Sequence, residues 1–457
     1  MELSKRRLHS LLSALFLAAC IYTIFFQSFN LIPSHYRVNV GDQVFFGNIF
    51  PPRLSERIVA FVSNESEERL NWQTGQVVAQ GFLPFQGRAP VAARPGNVDL
   101  DLRLFGVLPL KHVTLQVVPP VQVMVGGQSI GVFLHSEGVI VAGFSDITST
   151  DGKTYCPARQ AGIVAGDLIL SIQGVKIRSD AEVSLLIDQF ARRQDTVSLQ
   201  VKHRETVKNY QIKPVFCRET KRYRIGLFVR DGAAGVGTLT FFDPVTKRYG
   251  ALGHVITNSE TSELLDLKEG KIVGAAVEGI QKGQRGKIGE KIGLFLNDQK
   301  TSGNIDKNTT YGIYGVLQNN LVNQLYPQPV PVAVGGQIKE GPAQMLTVLN
   351  GENVEAFNID IQTVFPQPRP DGKSFIVKVV DPRILNRAGG IIQGMSGSPI
   401  IQNGKLIGAV THVFINDPTL GYGIAAELML DEAGLFPGKQ PQNQISWIGQ
   451  EIPDQAA

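Results

Sequence analysis

GMSGSP, residues 394–399, is the stretch on which the reading of this chain turns. Gly and Ser are the commonest turn formers, so a G-x-S-G string can be a tight turn and nothing more. Ser396 gains chemical meaning only if the chain also supplies a base, N–H groups to receive charge, and a scaffold to aim them. Beyond residue 217 there are two histidines, His254 in YGALGHVITN and His412 in GAVTHVF. Imidazole is the natural base near neutral pH, although a lone histidine is more often structural. The small residues before His254 let the backbone pack tightly and aim its ring into a cleft.

Around these residues the chain is rich in β-structure. YRIGLFVRDGAAGVGTLTFFDP, KIVGAAVEGI, YGIYGVL, SFIVKVVDP and KLIGAVTHVF are apolar runs punctuated by glycine, and helical periodicity is confined to GIAAELMLDEAG. Residues 217–437 therefore read as two packed β-barrels or a sandwich. A histidine preceding a serine in a G-x-S-G turn, with a strand after the turn, is the chain order of chymotrypsin-like enzymes. In that arrangement the N–H groups of Gly394 and Ser396 form the oxyanion hole, and Gly397 relieves crowding behind the nucleophile. Ser398 reads as a turn residue. Met395 stands where trypsin-type zymogens place an Asp, so activation by an inserted N-terminal amine is not expected.

Upstream, residues 35–118 form short strands. In VDLDLRLF, period-two alternation puts Val98, Leu100, Leu102 and Leu104 on one face of a small β domain. Residues 119–216 resemble a PDZ domain of the bacterial protease-associated kind, chiefly through AGIVAGDLILSIQG at 161–174 and the helix DAEVSLLIDQF. SIGV, residues Ser129, Ile130, Gly131 and Val132, takes the place of that family's GLGF loop, which the resemblance makes the peptide-binding loop. A peptide would add there as an extra strand.

The 457 residues allow about two to four domains. With 43% apolar and 18% charged residues the composition is globular. A net charge of +4, scattered along the chain, leaves no nucleic-acid footprint. Lys5, Arg6 and Arg7 precede an apolar run from Leu11 to Phe26, close to the ~18–20 residues a membrane helix needs. LAAC (17–20) resembles a lipoprotein cleavage site, with Cys20 as the acylated residue. The apolar run continues through IYTIFF, however, which favours an uncleaved anchor over residues 1–34 with everything after Pro33 outside the cytoplasm. Cys156 and Cys217 are compatible with one disulfide or two free thiols. No Cys or His cluster has metal-ligand spacing, so neither a metal nor a cofactor is expected. The residues from 438 to 457 are a polar, Gln-rich tail.

YGALGHVIT and GGIIQGMSGSPIIQNGKLIGAVTHVFINDPTLGYGI together resemble the stage IV sporulation protein B family, serine peptidases of spore-forming bacteria. The resemblance implies a trypsin-like fold with His254 as base, Ser396 as nucleophile and Asp381, in VKVVDPR, as acid. Asp381 lies only about fifteen residues before the serine, closer than a trypsin-like acid, so Asp306 and Asp360 are its reserves. The resemblance further implies self-cleavage near the N-terminus and a role between two membranes during endospore formation. The implied substrate is the regulator that restrains a membrane-embedded protease processing the sigma-K precursor. Two rival readings are a non-catalytic PDZ adaptor with a decayed peptidase domain and a general quality-control protease. The intact histidine and GMSGSP argue against decay.

Overall fold

The computed structural model describes residues 34–43, 58–62, 70–71, 82–84, 91–204, 206–257, 269–296 and 301–436. The expected anchor up to Pro33, with Cys20, and the expected tail at 438–457 lie outside these residues. No helix among the described residues is long and apolar enough to cross a membrane.

The alternation in VDLDLRLF produces a half-buried strand: Val98, Leu100, Leu102 and Leu104 all face a core, and the residues between them face out. That strand, Gly96–Leu104, lies in a five-stranded sheet ordered His35–Asn39, Leu108–Val118, Gly96–Leu104, Ile58–Val62, Phe82–Pro84. The sheet has its own hydrophobic cluster. It is fastened to the last helix, Ala426–Ala433, by buried Arg37, which pairs with Glu427 at 3.1 Å and Asp431 at 3.1 Å.

The PDZ unit is compact. Ser179 caps the helix Asp180–Ala191 by accepting from the Glu182 N–H. The apolar positions of that helix and of strands Leu168–Ile172 and Val197–His203 close one core around Ile169, Ile187 and Leu199. Its boundaries differ from the sequence expectation of 119–216. The strand Ser129–Phe144 is continuous, and only its second half belongs to the PDZ sheet. Its first half pairs with strand Leu227–Phe242 on one side and Glu269–Gln281 on the other. Leu227–Phe242 is likewise shared, opposing Phe144 at its start and Ser129 near its end. The PDZ unit is thus an insertion between two strands of the peptidase sheet.

This overturns the assignment of Ser129–Val132 as a peptide-binding loop. All four residues are buried; Ile130, Gly131 and Val132 lie between two paired strands, and Ser129 pairs with Thr238, so the segment offers no free edge. A Cβ on Gly131 would lie 2.4 Å from the Phe295 ring. The local sequence fits a GLGF loop, yet long-range pairing decides its fate, as it commonly does for strands.

The expected pair of barrels appears as one closed barrel and one open sheet. The closed barrel runs Gly341–Val348, Val354–Val364, Lys373–Val379, Asp417–Ala425, Lys405–Phe414, Pro399–Gln402 and back to the first strand. Its interior holds Met345, Phe357, Ile359, Phe375, Val377 and Met395. Each such side chain contributes about 1.5–3 kcal/mol on burial, so the barrel is the rigid wall of the site. The half-barrel contains the shared strands with Arg248–Ala251, Glu269–Gln281, Glu290–Phe295, Ser302–Ile305 and Gly312–Val316.

Candidate active site

The 394–399 turn lies between the barrels and is held from both. Gly394 and Gly397 have φ of +92° and +90°, where a side chain would be strained. A Cβ on Gly397 would meet the Thr238 carbonyl oxygen at 2.1 Å. From strand Leu227–Phe242, the Thr238 N–H donates to the Ser396 carbonyl at 3.0 Å. The Thr238 hydroxyl donates to the Gly394 carbonyl at 2.8 Å, and that of Thr240 to the Gly397 carbonyl at 2.8 Å. On the other side, Gln393 donates to the Gly289 carbonyl and accepts from the Lys291 N–H.

Within the turn, the N–H groups of Gln393, Met395, Gly397 and Ser398 donate to Gly289, Ile392, Val410 and Met395 carbonyls. Those of Gly394 and Ser396 donate to no group among the described residues. Two unengaged N–H groups flanking a serine, in a turn whose other donors are satisfied, match what an oxyanion needs. Met395 and Ser398 are fully buried, Met395 in the barrel core and Ser398 at 3.5 Å from the Thr238 hydroxyl.

His254 leaves strand Arg248–Ala251 through two left-handed residues, Leu252 at φ +66° and Gly253 at φ +71°. Asn308 clamps the next loop with hydrogen bonds to both the N–H and the carbonyl of Ile256. The His254 Nδ1–H donates to the Val255 carbonyl at 2.8 Å, which assigns the tautomer and leaves Nε2 as the basic atom. Burial, outweighing that bond, lowers the His254 pKa below its ordinary value. Its ring centroid is 5.1 Å from that of His412. His412 in turn shares a 2.6 Å hydrogen bond with the Thr411 hydroxyl, and the Thr411 carbonyl accepts from Ser396 Oγ at 2.8 Å. Ser396 and His254 thus both adjoin the Thr411–His412 segment.

Asp381 does not join them. It caps the helix Pro382–Arg387, accepting from the N–H, Nε and guanidinium of Arg383 and from the Asn358 N–H. These bonds, Arg383 first, hold its carboxyl down at about 2. Neither reserve reaches the imidazole: Asp306 faces Arg248 at 3.8 Å, and Asp360 accepts from Gln362. Among the described residues, the hydrogen-bond partner of His254 Nδ1 is the Val255 carbonyl.

Cys156 and Cys217 are free, buried thiols. Among the described residues no group of three metal-ligating side chains converges.

Residues 221–430 match the family model described as SpoIVB peptidase S55, and residues 134–213 match the PDZ domain. The chain carries an S55 serine endopeptidase domain. The S55 match takes in His254, Asp381 and Ser396, and the PDZ match begins beyond Ser129–Val132. No curated protein matches the chain significantly. Solved structures resembling part of it include the Rv3671c protease of M. tuberculosis in its active form, 16% identical over 46% of this chain and 78% of that one, with a TM-score of 0.26. The protease Anisep of Arthrobacter nicotinovorans is 12% identical over 44% and 90%, with a TM-score of 0.27. Human heparin binding protein is 12% identical over 45% and 88%, with a TM-score of 0.25.

Lys291, Thr238 and Asn308 support the S55 site without having been singled out from sequence. Lys291 alone left a trace there, a lysine followed by apolar residues in a strand-like run, EKIGLF.

Proposed function

We propose that the S55 domain works as a Ser396–His254 peptidase on exported or membrane-bound protein during endospore formation. The observation that carries the reading is the pair of unengaged N–H groups at Gly394 and Ser396 beside the serine. His254 Nε2 takes the Ser396 proton as Oγ attacks the scissile carbonyl, and later returns it to the leaving amine. The Gly394 and Ser396 N–H groups receive the charge on the carbonyl oxygen. Attack requires Oγ to leave the Thr411 carbonyl, a loss of about 0.5–1.5 kcal/mol that substrate binding can offset. The family supports a sporulation role. An N-terminal anchor, self-cleavage and action on the regulator of the sigma-K processing protease complete the proposal.

Strand addition at the PDZ unit belongs at Leu227–Arg230, which among the described residues pairs only with Ser129–Phe144. It lies beside helix Asp180–Ala191, where Phe228 and Leu185 are each 59% exposed.

Mass spectrometry of the purified exported part over time tests the reading. Wild type should shed N-terminal fragments, while Ser396→Ala and His254→Ala stay intact, because nucleophile and base act as one unit. Fragments appearing at the wild-type rate in Ser396→Ala, with contaminating proteases excluded, would remove Ser396 from the mechanism.

A further inference from the structure

Lys291 is a buried cation that the mechanism above does not use. It is 5% exposed, on strand Glu290–Phe295 of the half-barrel. Its Nζ donates to the Thr347 hydroxyl of the closed barrel at 2.8 Å and lies 3.4 Å from the Ser129 hydroxyl. No carboxylate pairs with it among the described residues. Its neighbour in register is apolar Ile280, and Glu355, the register partner of Thr347, is paired with Arg383 at 3.2 Å. Its stem lies against the catalytic turn: a Cβ on Gly394 would be 3.0–3.2 Å from Lys291 Cδ, Cβ and Cγ. Its main-chain N–H donates to the Gln393 carbonyl at 3.0 Å.

An uncompensated buried ammonium is costly, and an apolar side chain of the same length would fill the space more cheaply. We propose that Lys291 is a positioning residue of the oxyanion hole, holding the Gly394 turn from beneath and lending it positive potential as negative charge develops on the substrate oxygen. The proposal rests on reading the Gly394 and Ser396 N–H groups as that hole. In a site screened from water, a fixed charge close to the developing one acts strongly at no reorganisation cost. Burial brings the Lys291 pKa down to about 7. The support is therefore present below neutrality and fades as the pH rises through 7. His254 has the opposite requirement, since it must be neutral to act as base. Wild type should show a bell-shaped kcat profile whose alkaline limb belongs to Lys291.

The same burial has a stability signature. Between about 7 and the ordinary lysine value of 10.5 the unfolded chain binds the proton and the folded chain does not, so stability rises with pH in that window.

The test compares wild type with Lys291→Met and Thr347→Val, using p-nitrophenyl acetate hydrolysis and the rate of phosphonylation by a fluorophosphonate probe. Ser396→Ala serves as the blank. Lys291→Met should keep or raise Tm, keep KM, lose about tenfold in kcat, and lose the alkaline limb; removing a direct oxyanion donor costs about 10²–10³. Thr347→Val removes one acceptor from the ammonium and should move the alkaline limb to lower pH. This variant decides the matter if Lys291→Met does not fold. Wild-type kcat and pH profile in Lys291→Met, or an unmoved limb in Thr347→Val, would overturn the proposal. So would a fall in kcat with the wild-type profile shape, which marks a merely structural role. Labelling of Ser396→Ala at the wild-type rate would instead overturn the underlying reading of the site.

Discussion

Asp381 shows how one residue can carry two different readings. The resemblance makes it the acid of a triad, whereas its contacts make it the cap and anchor of helix Pro382–Arg387. A cap that also accepts from a guanidinium and a strand N–H fixes the segment leading into the catalytic turn. Asp381→Asn should cost about 1–3 kcal/mol in denaturant unfolding, because the Arg383 and Asn358 donors lose a buried charged acceptor. The sign with pH follows from its depressed pKa. In wild type its contribution is complete above the unfolded value of 3.8 and disappears as the pH falls toward about 2. The Asn variant should lack that acid-side loss. An unchanged unfolding midpoint with a 10⁴-fold slower reaction would return Asp381 to the triad. Turn chemistry and chain order single out the proposed nucleophile, base and oxyanion donors, and the structure leaves the Gly394 and Ser396 N–H groups unengaged among the described residues. The Val255 carbonyl that accepts from His254 Nδ1 was not legible in the sequence, because a main-chain acceptor leaves no trace in residue identity.

At the scale of elements, the strand Leu227–Phe242 ties the PDZ unit to the catalytic turn. It begins opposite Phe144 in the PDZ sheet and reaches Thr238, whose N–H and hydroxyl fix the Ser396 and Gly394 carbonyls. Thr238→Val keeps shape and β-propensity but leaves the buried Gly394 carbonyl without its donor. About 1–3 kcal/mol of stability should be lost. Fluorophosphonate labelling should slow further than the loss of folded protein explains, since the Gly394 peptide is then free to tilt. Labelling in proportion to folded protein would show that the turn needs no such support. Strand existence was readable from alternation and glycine punctuation, as in Val98–Leu104. Partner choice was not. In Glu290–Phe295 the usual pattern is inverted: Lys291 is buried while Ile292 and Leu294 are 54% and 58% exposed. The neighbouring barrel, and not the strand's own composition, decides which face is covered.

The whole molecule is organised by an insertion that alternation alone could not reveal. Because Ser129 and Thr238 are register partners about a hundred residues apart in sequence, closing the half-barrel is entropically slow unless something brings them together. The PDZ unit does so, since its own folding holds the second half of one strand beside the start of the other. If it acts as an internal folding template, the expected order of assembly is PDZ first, half-barrel next and the 394–399 turn last. Ile169→Ala, in the PDZ core far from Ser396, should cost about 2–5 kcal/mol of local stability. Its clearest effect should be on time. After dilution from denaturant, active sites should appear roughly tenfold more slowly, as expected for a residue in the folding nucleus. Recovery at the wild-type rate would mean that the barrels find each other unaided. A protease assembled in this order has a built-in delay. A chain that assembled in this order would have no active site until its PDZ unit had formed.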